Sequence, residues 1–219
     1  MIPSLRLFLP ICLYARSVYR TRKGMQAVFS QYLPTASAAL VLVCDDLHAL
    51  NQLMVQRYRD STSAQHAARA QGARTVRQVY NVLDRMKHAE TDVAVHAWRE
   101  LAEDPRFSIL LQKIRSLHRE DVAFARLVAS FVGRHNEILR RVLHPDAMGI
   151  ELNYLLNEIA MSIFVTEVLG FNTEVWEAAP KRDMPDPLAF LYQNRSALLA
   201  ELLQKHHLSR QMLLVEDSH

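Results

Sequence analysis

The sequence predicts an α/β domain with a mostly parallel sheet flanked by helices. Two short apolar runs, residues 5–11 and 39–43, have the character of buried strands. The segment between them, residues 24–33, carries apolar side chains at helical spacing and stops before Pro34. A strand, a helix and a strand in this order form a βαβ unit, and its two strands are parallel.

Composition favours one helix-rich domain. The 219 residues are half hydrophobic, with five glycines and eight prolines, and no linker rich in Gly, Ser or Pro divides them. We therefore expect a single domain over residues 1–219. We also expect a soluble, cytoplasmic protein, because no apolar run approaches the roughly 18–20 residues that span a bilayer and two cysteines are too few for a disulfide scaffold.

The remaining elements alternate between helical and strand patterns. Helical patterns cover residues 47–58, 61–88, 104–118, 119–143, 149–170 and 188–206. Strand patterns cover residues 92–98, 173–179 and 211–216, the last at the edge of the sheet.

The apolar start of the chain also has features of a secretion signal. Arg6 precedes nine uncharged residues, as in a signal peptide. However, the basic cluster from Arg16 to Lys23 follows directly and is poorly placed for export. Cleavage would also remove the first strand, so we expect the segment to be retained in the sheet.

Positive charge is clustered along the chain rather than spread evenly. In the predicted helix 61–88, apolar side chains fall on one side, and Arg74, Arg77 and Arg85 fall in a stripe on the opposite side. The pattern is compatible with an ordinary solvated helix face and with a surface for an anionic partner.

Two features of the sequence indicate candidate catalytic residues. Tyr154 and Glu158 are four residues apart in an apolar helix, so they share one face, and burial should raise the pKa of the Glu158 carboxyl. Glu158 could equally pair with an arginine of a neighbouring helix. Cys12 follows the first strand, at the sheet edge where such folds place ligands, and is either a nucleophile or a structural thiol.

Motifs for cofactors are missing from the sequence. It has no glycine-rich phosphate loop, no Cys-x-x-Cys and no zinc-type histidine pair. We therefore expect neither a bound metal nor another cofactor.

The segment LNYLLNEIAMSIF (152–164) resembles the tyrosine and glutamate helix of the tRNA-dependent cyclodipeptide synthases, whose motif is Tyr-x-x-x-Glu after a polar residue. In that family the first strand ends in a turn that carries the catalytic serine, and here PIC (10–12) places Cys12 at that position. The second strand of the family ends in an aspartate, matched by Asp45. The next helix of the family carries basic residues that hold tRNA.

The resemblance implies a Rossmann-like domain similar to the catalytic domain of tyrosine- and tryptophan-type class I aminoacyl-tRNA synthetases. It implies a monomeric enzyme of secondary metabolism with two aminoacyl-tRNAs as substrates and no cofactor. Cys12 would carry the first aminoacyl group as a thioester, and Tyr154 and Glu158 would hold its amino group. The second aminoacyl-tRNA would then accept the group, and the dipeptide would cyclise to a diketopiperazine.

The resemblance also implies binding residues. The arginines matched to the tRNA-holding helix are Arg74, Arg77 and Arg85. Ala15 stands where one subfamily has asparagine, Phe107 where a tyrosine is frequent, and Trp176 near the family's Tyr-His or Tyr-Pro pair, which has no clean counterpart here. The residues expected by position to line the first side-chain pocket are Phe8, Pro10, Trp98 and Met161.

Two alternative functions are compatible with the same residues. The protein could be an inactive tRNA- or RNA-binding relative in which the change from serine to cysteine records lost chemistry. It could also be a thiol-dependent acyltransferase or hydrolase that pairs Cys12 with His48 or His96.

Overall fold

The computed structural model describes residues 5–13, 17–86, 91–139, 144–177, 187, 191 and 209–213, and for residues 134–139, 176, 177 and 209–213 the backbone alone. It contains five strands, β1 (Arg6–Ile11), β2 (Ala38–Val43), β3 (Asp92–Ala97), β4 (Thr173–Glu177) and β5 (Ser209–Leu213). They form one sheet in the order β3-β2-β1-β4-β5, and every neighbouring pair is parallel. The predicted α/β class is confirmed.

The bounds of seven α-helices lie within the described residues. They are α1 (Arg22–Tyr32), α2 (Asp45–Met54), α3 (Ser61–Met86), α4 (Trp98–Ala102), α5 (Pro105–Glu120), α6 (Val122–Leu139) and α7 (Ala147–Ile163). Six correspond to predicted helices.

The short helix α4 is not predicted by the sequence pattern, which extends a strand to Trp98. The strand instead ends at Ala97, whose backbone N–H donates to Glu100 Oε2 at 3.3 Å. The Glu100 side chain thus accepts from a backbone N–H at the start of the helix. The strand therefore ends one residue earlier than predicted, and the helix begins at Trp98.

The end of α7 also differs from the predicted range of 149–170. The α-helix stops at Ile163 and continues as a π-helical turn, Phe164–Val168. Gly170 follows with φ of 76°, a left-handed conformation that favours glycine. Of the helix predicted after Pro187, only Pro187 and Leu191 are described, and both are helical.

The two faces of the sheet bury different sets of side chains. Leu7, Leu9 and Ile11 of β1 pack into a cluster with α1 and α3. Phe8 of β1 and Leu42 of β2 pack on the other face, into a cluster with α5, α6 and α7. Because both faces are covered, residues 7–11 of β1 and the whole of β2 are apolar, as is typical of parallel sheets.

The strand order places a crevice at the end of β1. The chain leaves β1 for β2 and β3 on one side, and β4 and β5 lie on its other side. Ligands of open α/β sheets bind beyond the carboxyl ends of the strands, where the strand order reverses. Cys12 follows β1 directly and therefore lies at this point.

No helix among the described residues combines the length and the apolar character that a membrane crossing requires.

Gly72 lies within α3 and faces the start of α2. A Cβ atom there would be 2.6 Å from Asp45 Cβ and 2.9 Å from Asp45 Oδ2. We expect Gly72→Ala to lower the free energy of unfolding by about 1–3 kcal/mol, because overpacking outweighs the better helix propensity of alanine. Urea unfolding followed by circular dichroism measures the change.

Gly133 of α6 offers a matched control, since a Cβ atom there would meet nothing within 4 Å. Gly133→Ala should raise the free energy of unfolding by about 0.5–1 kcal/mol. A similar gain from Gly72→Ala would contradict the close approach of α2 and α3.

Candidate active site

Two cysteines stand side by side at the carboxyl edge of the sheet. Ile11 of β1 pairs with Val43 of β2, and the backbone N–H of Cys44 donates to the Ile11 carbonyl at 3.0 Å. Cys12 and Cys44 are therefore the next residues of two paired strands. Both thiols are free, Cys12 is half-buried and Cys44 is buried.

The Cys44 thiol is enclosed by groups that disfavour its ionisation. It donates to the Leu42 carbonyl, with 3.7 Å between sulfur and oxygen. A hydrogen bond with the Cys12 side chain, burial, and the nearby charges of Cys12, Glu158 and Asp45 raise the pKa of Cys44 well above its usual value. Cys44 is therefore a neutral thiol near neutral pH.

Tyr154 extends this cluster from α7. Burial is the main cause that raises the pKa of its phenol, and the charges of Glu158, Cys12 and Cys44 raise it further, while a hydrogen bond with Asn51 of α2 acts in the opposite direction. The phenol is therefore neutral and is oriented by Asn51. The structure thus brings Cys12 together with Tyr154 and Glu158, the two residues selected from the sequence.

An apolar cluster underlies these groups on the same face of the sheet. The predicted binding residues Phe8, Trp98, Phe107 and Met161 all belong to it and are all buried. Trp98 and Phe107 meet edge to face, with ring centroids 6.3 Å apart. Phe107 makes a similar contact with Phe164, with ring centroids 5.9 Å apart. Phe164 was not among the residues selected from the sequence.

Three further predicted binding residues are less defined. Pro10 lies in β1 and is half-buried. Ala15 lies outside the described residues. Trp176 is described only by its backbone, which lies in β4. Their binding roles stay predictions.

Asp45 and Gln71 connect the site to the surrounding elements. The Asp45 carboxylate, at the start of α2, accepts from the backbone N–H of Trp98. Gln71 of α3 donates to the Leu13 carbonyl at 3.2 Å and also hydrogen-bonds His48. The contacts of Gln71 and Asn51 were not predictable from spacing, because each of them joins segments far apart in the sequence.

The two histidines considered as partners of Cys12 have other neighbours. His48 of α2 bonds to Gln71. His96 Nδ1 lies 2.9 Å from Glu100 Oε2. His96 also belongs to β3, which β2 separates from β1.

The basic stripe of α3 is on the surface, as predicted. Arg74, Arg77 and Arg85 are exposed, and Val79 and Val82 on the opposite side are buried. Within the described part of the chain, none of the three arginines forms a salt bridge. By contrast, Arg69 of the same helix binds Asp46 through two hydrogen bonds of 2.8 and 3.0 Å.

No family model matches the sequence, and no curated protein matches it. Solved structures do match its fold. A cyclodipeptide synthase (CDPS) structure from Fluoribacter dumoffii has a TM-score of 0.75 at 13% identity, covering 95% of this chain and 88% of that chain. A Mycobacterium tuberculosis protein, described as relating cyclodipeptide synthetases to type I tRNA synthetases, has a TM-score of 0.69 at 13% identity, covering 95% and 84%.

A third similar structure contains a nucleic acid. The cyclodipeptide synthase from Candidatus Glomeribacter gigasporarum, bound to Phe-tRNAPhe, has a TM-score of 0.61 at 16% identity, covering 95% of this chain and 86% of that chain. At these identities the likeness establishes a shared fold. The predicted Rossmann-like architecture, a parallel sheet flanked by helices, is therefore confirmed.

His48 should make stability depend on pH. Burial and the charge of Arg57 lower its pKa from 6.5 to about 4, although its bond to Gln71 acts against this. The unfolded chain therefore binds this proton more tightly, and the free energy of unfolding should fall as pH falls from 6.5 to about 4. Because His48 is partly exposed, we expect the free energy of unfolding to fall by only about 1–2 kcal/mol over this range.

Urea unfolding at pH 7 and pH 4.5 measures this effect as a difference between variants. His48→Gln should lose part of the pH dependence, whereas His66→Gln, at an exposed position of α3, should keep it. Equal pH dependence in both variants and the wild type would show that His48 does not contribute.

Proposed function

We propose that the protein is a cyclodipeptide synthase that joins the aminoacyl groups of two aminoacyl-tRNAs. The observation that carries this proposal is the placement of the half-buried Cys12 thiol beside Tyr154 and Glu158, at the point where the strand order reverses. The shared fold supports it, and a similar protein bound to Phe-tRNAPhe supports the substrate class.

The first step would be transfer to Cys12. The sulfur attacks the ester carbonyl of the first aminoacyl-tRNA, a C–S bond forms and the C–O bond to the ribose breaks. The thiol proton ends on the ribose hydroxyl of the departing tRNA. The product is a thioester, which reacts with amines more readily than an oxygen ester does, so the cysteine is chemically competent.

Tyr154 and Glu158 would hold the amino group of the bound aminoacyl moiety. An ammonium group fits a site where Glu158 supplies negative charge and Tyr154 supplies a neutral phenol oxygen. Burial strengthens both interactions. When the amino group of the second aminoacyl-tRNA attacks the thioester, a C–N bond forms and the C–S bond breaks. Glu158 passes the proton that this amino group loses to the departing Cys12 sulfur, which leaves as the thiol.

The apolar cluster would bind the first side chain. Phe8, Trp98, Phe107 and Met161 belong to the apolar cluster that also contains Cys44, and Pro10 lies on the same strand as Phe8. Such a lining favours an apolar aminoacyl side chain. Ala15 and Trp176 complete the proposed binding set, from the segment after Cys12 and from β4.

The exposed arginines of α3 would hold tRNA through its phosphates. Arg74, Arg77 and Arg85 line one side of α3, while Gln71 of the same helix contacts Leu13, one residue after Cys12. A tRNA along this face would therefore lie near the nucleophile. The proposal includes a monomeric enzyme in the cytoplasm, where charged tRNA is available.

Replacement of the nucleophile tests the reaction. Cys12→Ala should abolish both the covalent aminoacyl-enzyme and the cyclic dipeptide, because it removes the half-buried thiol that would accept the first aminoacyl moiety and leaves only the buried Cys44. Cys12→Ser is the matched control and should form an oxygen ester instead. Mass spectrometry of protein mixed with aminoacyl-tRNAs, and of the small-molecule products, measures both.

Neutral hydroxylamine distinguishes the two intermediates, since it cleaves a thioester faster than an ester. A cyclic dipeptide made by Cys12→Ala would overturn the role of Cys12. An aminoacylated wild-type protein that releases no cyclic product would instead favour a different acyl transfer reaction.

Replacement of three arginines tests the tRNA surface. Arg74, Arg77 and Arg85 changed together to alanine should weaken tRNA binding and reduce the slope of log K against log salt by about 2–3, because each phosphate contact releases counterions. Filter binding over a salt series measures the slope.

A control with the same change in charge uses exposed arginines of α4, α5 and α6. Arg99, Arg119 and Arg126 are exposed, and their triple alanine variant should keep the wild-type slope. Equal slopes in both triple variants would show that the α3 stripe is an ordinary solvated helix face and does not bind tRNA.

A further inference from the structure

We propose that Cys12 and Cys44 are an oxidative modification site, a dithiol that closes into an intramolecular disulfide by exchange with a low-molecular-weight disulfide. The backbone supports this pairing. Ile11 and Val43 are opposite each other in β1 and β2, and the Cys44 N–H bond to the Ile11 carbonyl holds the next residues together. Neighbouring strands lie about 4.8 Å apart, within the Cα separation of about 4.4–6.8 Å that a disulfide spans.

The two side chains also lie on one side of the sheet. Alternation along the strands places Cys12 with Phe8 and Cys44 with Leu42, and these neighbours share one apolar cluster. The Cys12 side chain lies close enough to Cys44 to raise the pKa of its thiol. Closure of the disulfide therefore requires no change of strand register.

The two thiols differ in access, which sets the order of events. Cys12 is half-buried, whereas Cys44 is only 6% exposed, so a reagent would meet Cys12 first. Two of the causes that raise the pKa of Cys44 come from Cys12, namely its hydrogen bond and its charge. Conversion of Cys12 to a mixed disulfide removes the charge of a Cys12 thiolate, so it makes Cys44 easier to ionise.

The exchange proceeds in two balanced steps. The Cys12 thiolate attacks one sulfur of the reagent disulfide, the reagent S–S bond breaks, and one reagent thiol leaves. Cys44 then loses its proton and attacks the Cys12 sulfur, and the second reagent thiol leaves. Two protein thiols are oxidised and one reagent disulfide is reduced to two thiols.

The consequence for activity rests on the proposed function. A disulfide removes the thiol that would accept the aminoacyl group, so transfer would stop until a reductant restores it. A serine at the same position could not respond in this way. The cysteine would thus make the proposed synthesis sensitive to the redox state of the cell.

Oxidised glutathione is the probe for a direct test. The reduced full-length protein is incubated with it, quenched with acid and analysed by intact mass and by peptide mapping without reduction. The wild type should become lighter by two hydrogens and yield a peptide linked through Cys12 and Cys44. Cys44→Ser, and Cys44→Ala as a second variant, should instead keep one glutathionyl group on Cys12.

Other products would overturn the proposal. A wild-type protein that stays unmodified, keeps glutathione on Cys12 beside a free Cys44, or links two chains through Cys12 contradicts it. The mass measurement needs no assay of product, so a protein that forms the disulfide but makes no cyclic dipeptide contradicts the proposed function alone. Where product is made, oxidation should abolish its formation and dithiothreitol should restore it.

Discussion

The parallel pairing of β1 with β2 is the constraint on which the site depends. Its register is continued by one more hydrogen bond, from the Cys44 N–H to the Ile11 carbonyl, so Cys12 and Cys44 end neighbouring strands at the same height. The strands are buried on both faces and carry apolar side chains. Reactive groups can therefore stand only beyond the strand ends, where the strand order reverses and a crevice opens.

The groups gathered there share one electrostatic property, because each of them can become an anion. Cys12, Cys44, Tyr154 and Glu158 influence one another strongly enough to raise the pKa of both Cys44 and Tyr154. Few of these groups can be ionised at once in a partly buried site. A cationic ligand relieves this repulsion, and the ammonium group of an aminoacyl ester is such a ligand. The electrostatics of the cluster and the proposed substrate therefore agree.

Local patterns predicted most elements but not their ends or their long-range contacts. The strand at residues 5–11 was recognisable as a short continuous apolar run, because a parallel strand is buried on both faces. The helix from Ser61 was recognisable from its period of 3.6 residues. Helix α4 was missed because its start depends on one side chain, Glu100, bonded to the end of a strand. Asn51 and Gln71 were missed because their partners lie on distant segments.

The sequence by itself determined the α/β class, the position of Cys12 after a central strand, and the spacing of Tyr154 and Glu158 on one helix face. Each follows from neighbours in the chain, through periodicity and strand order. Only the tertiary structure decided that this helix face meets Cys12 and that Cys44 stands beside it. Those contacts depend on how helices and strands pack, and packing is set by the whole set of buried side chains rather than by local spacing.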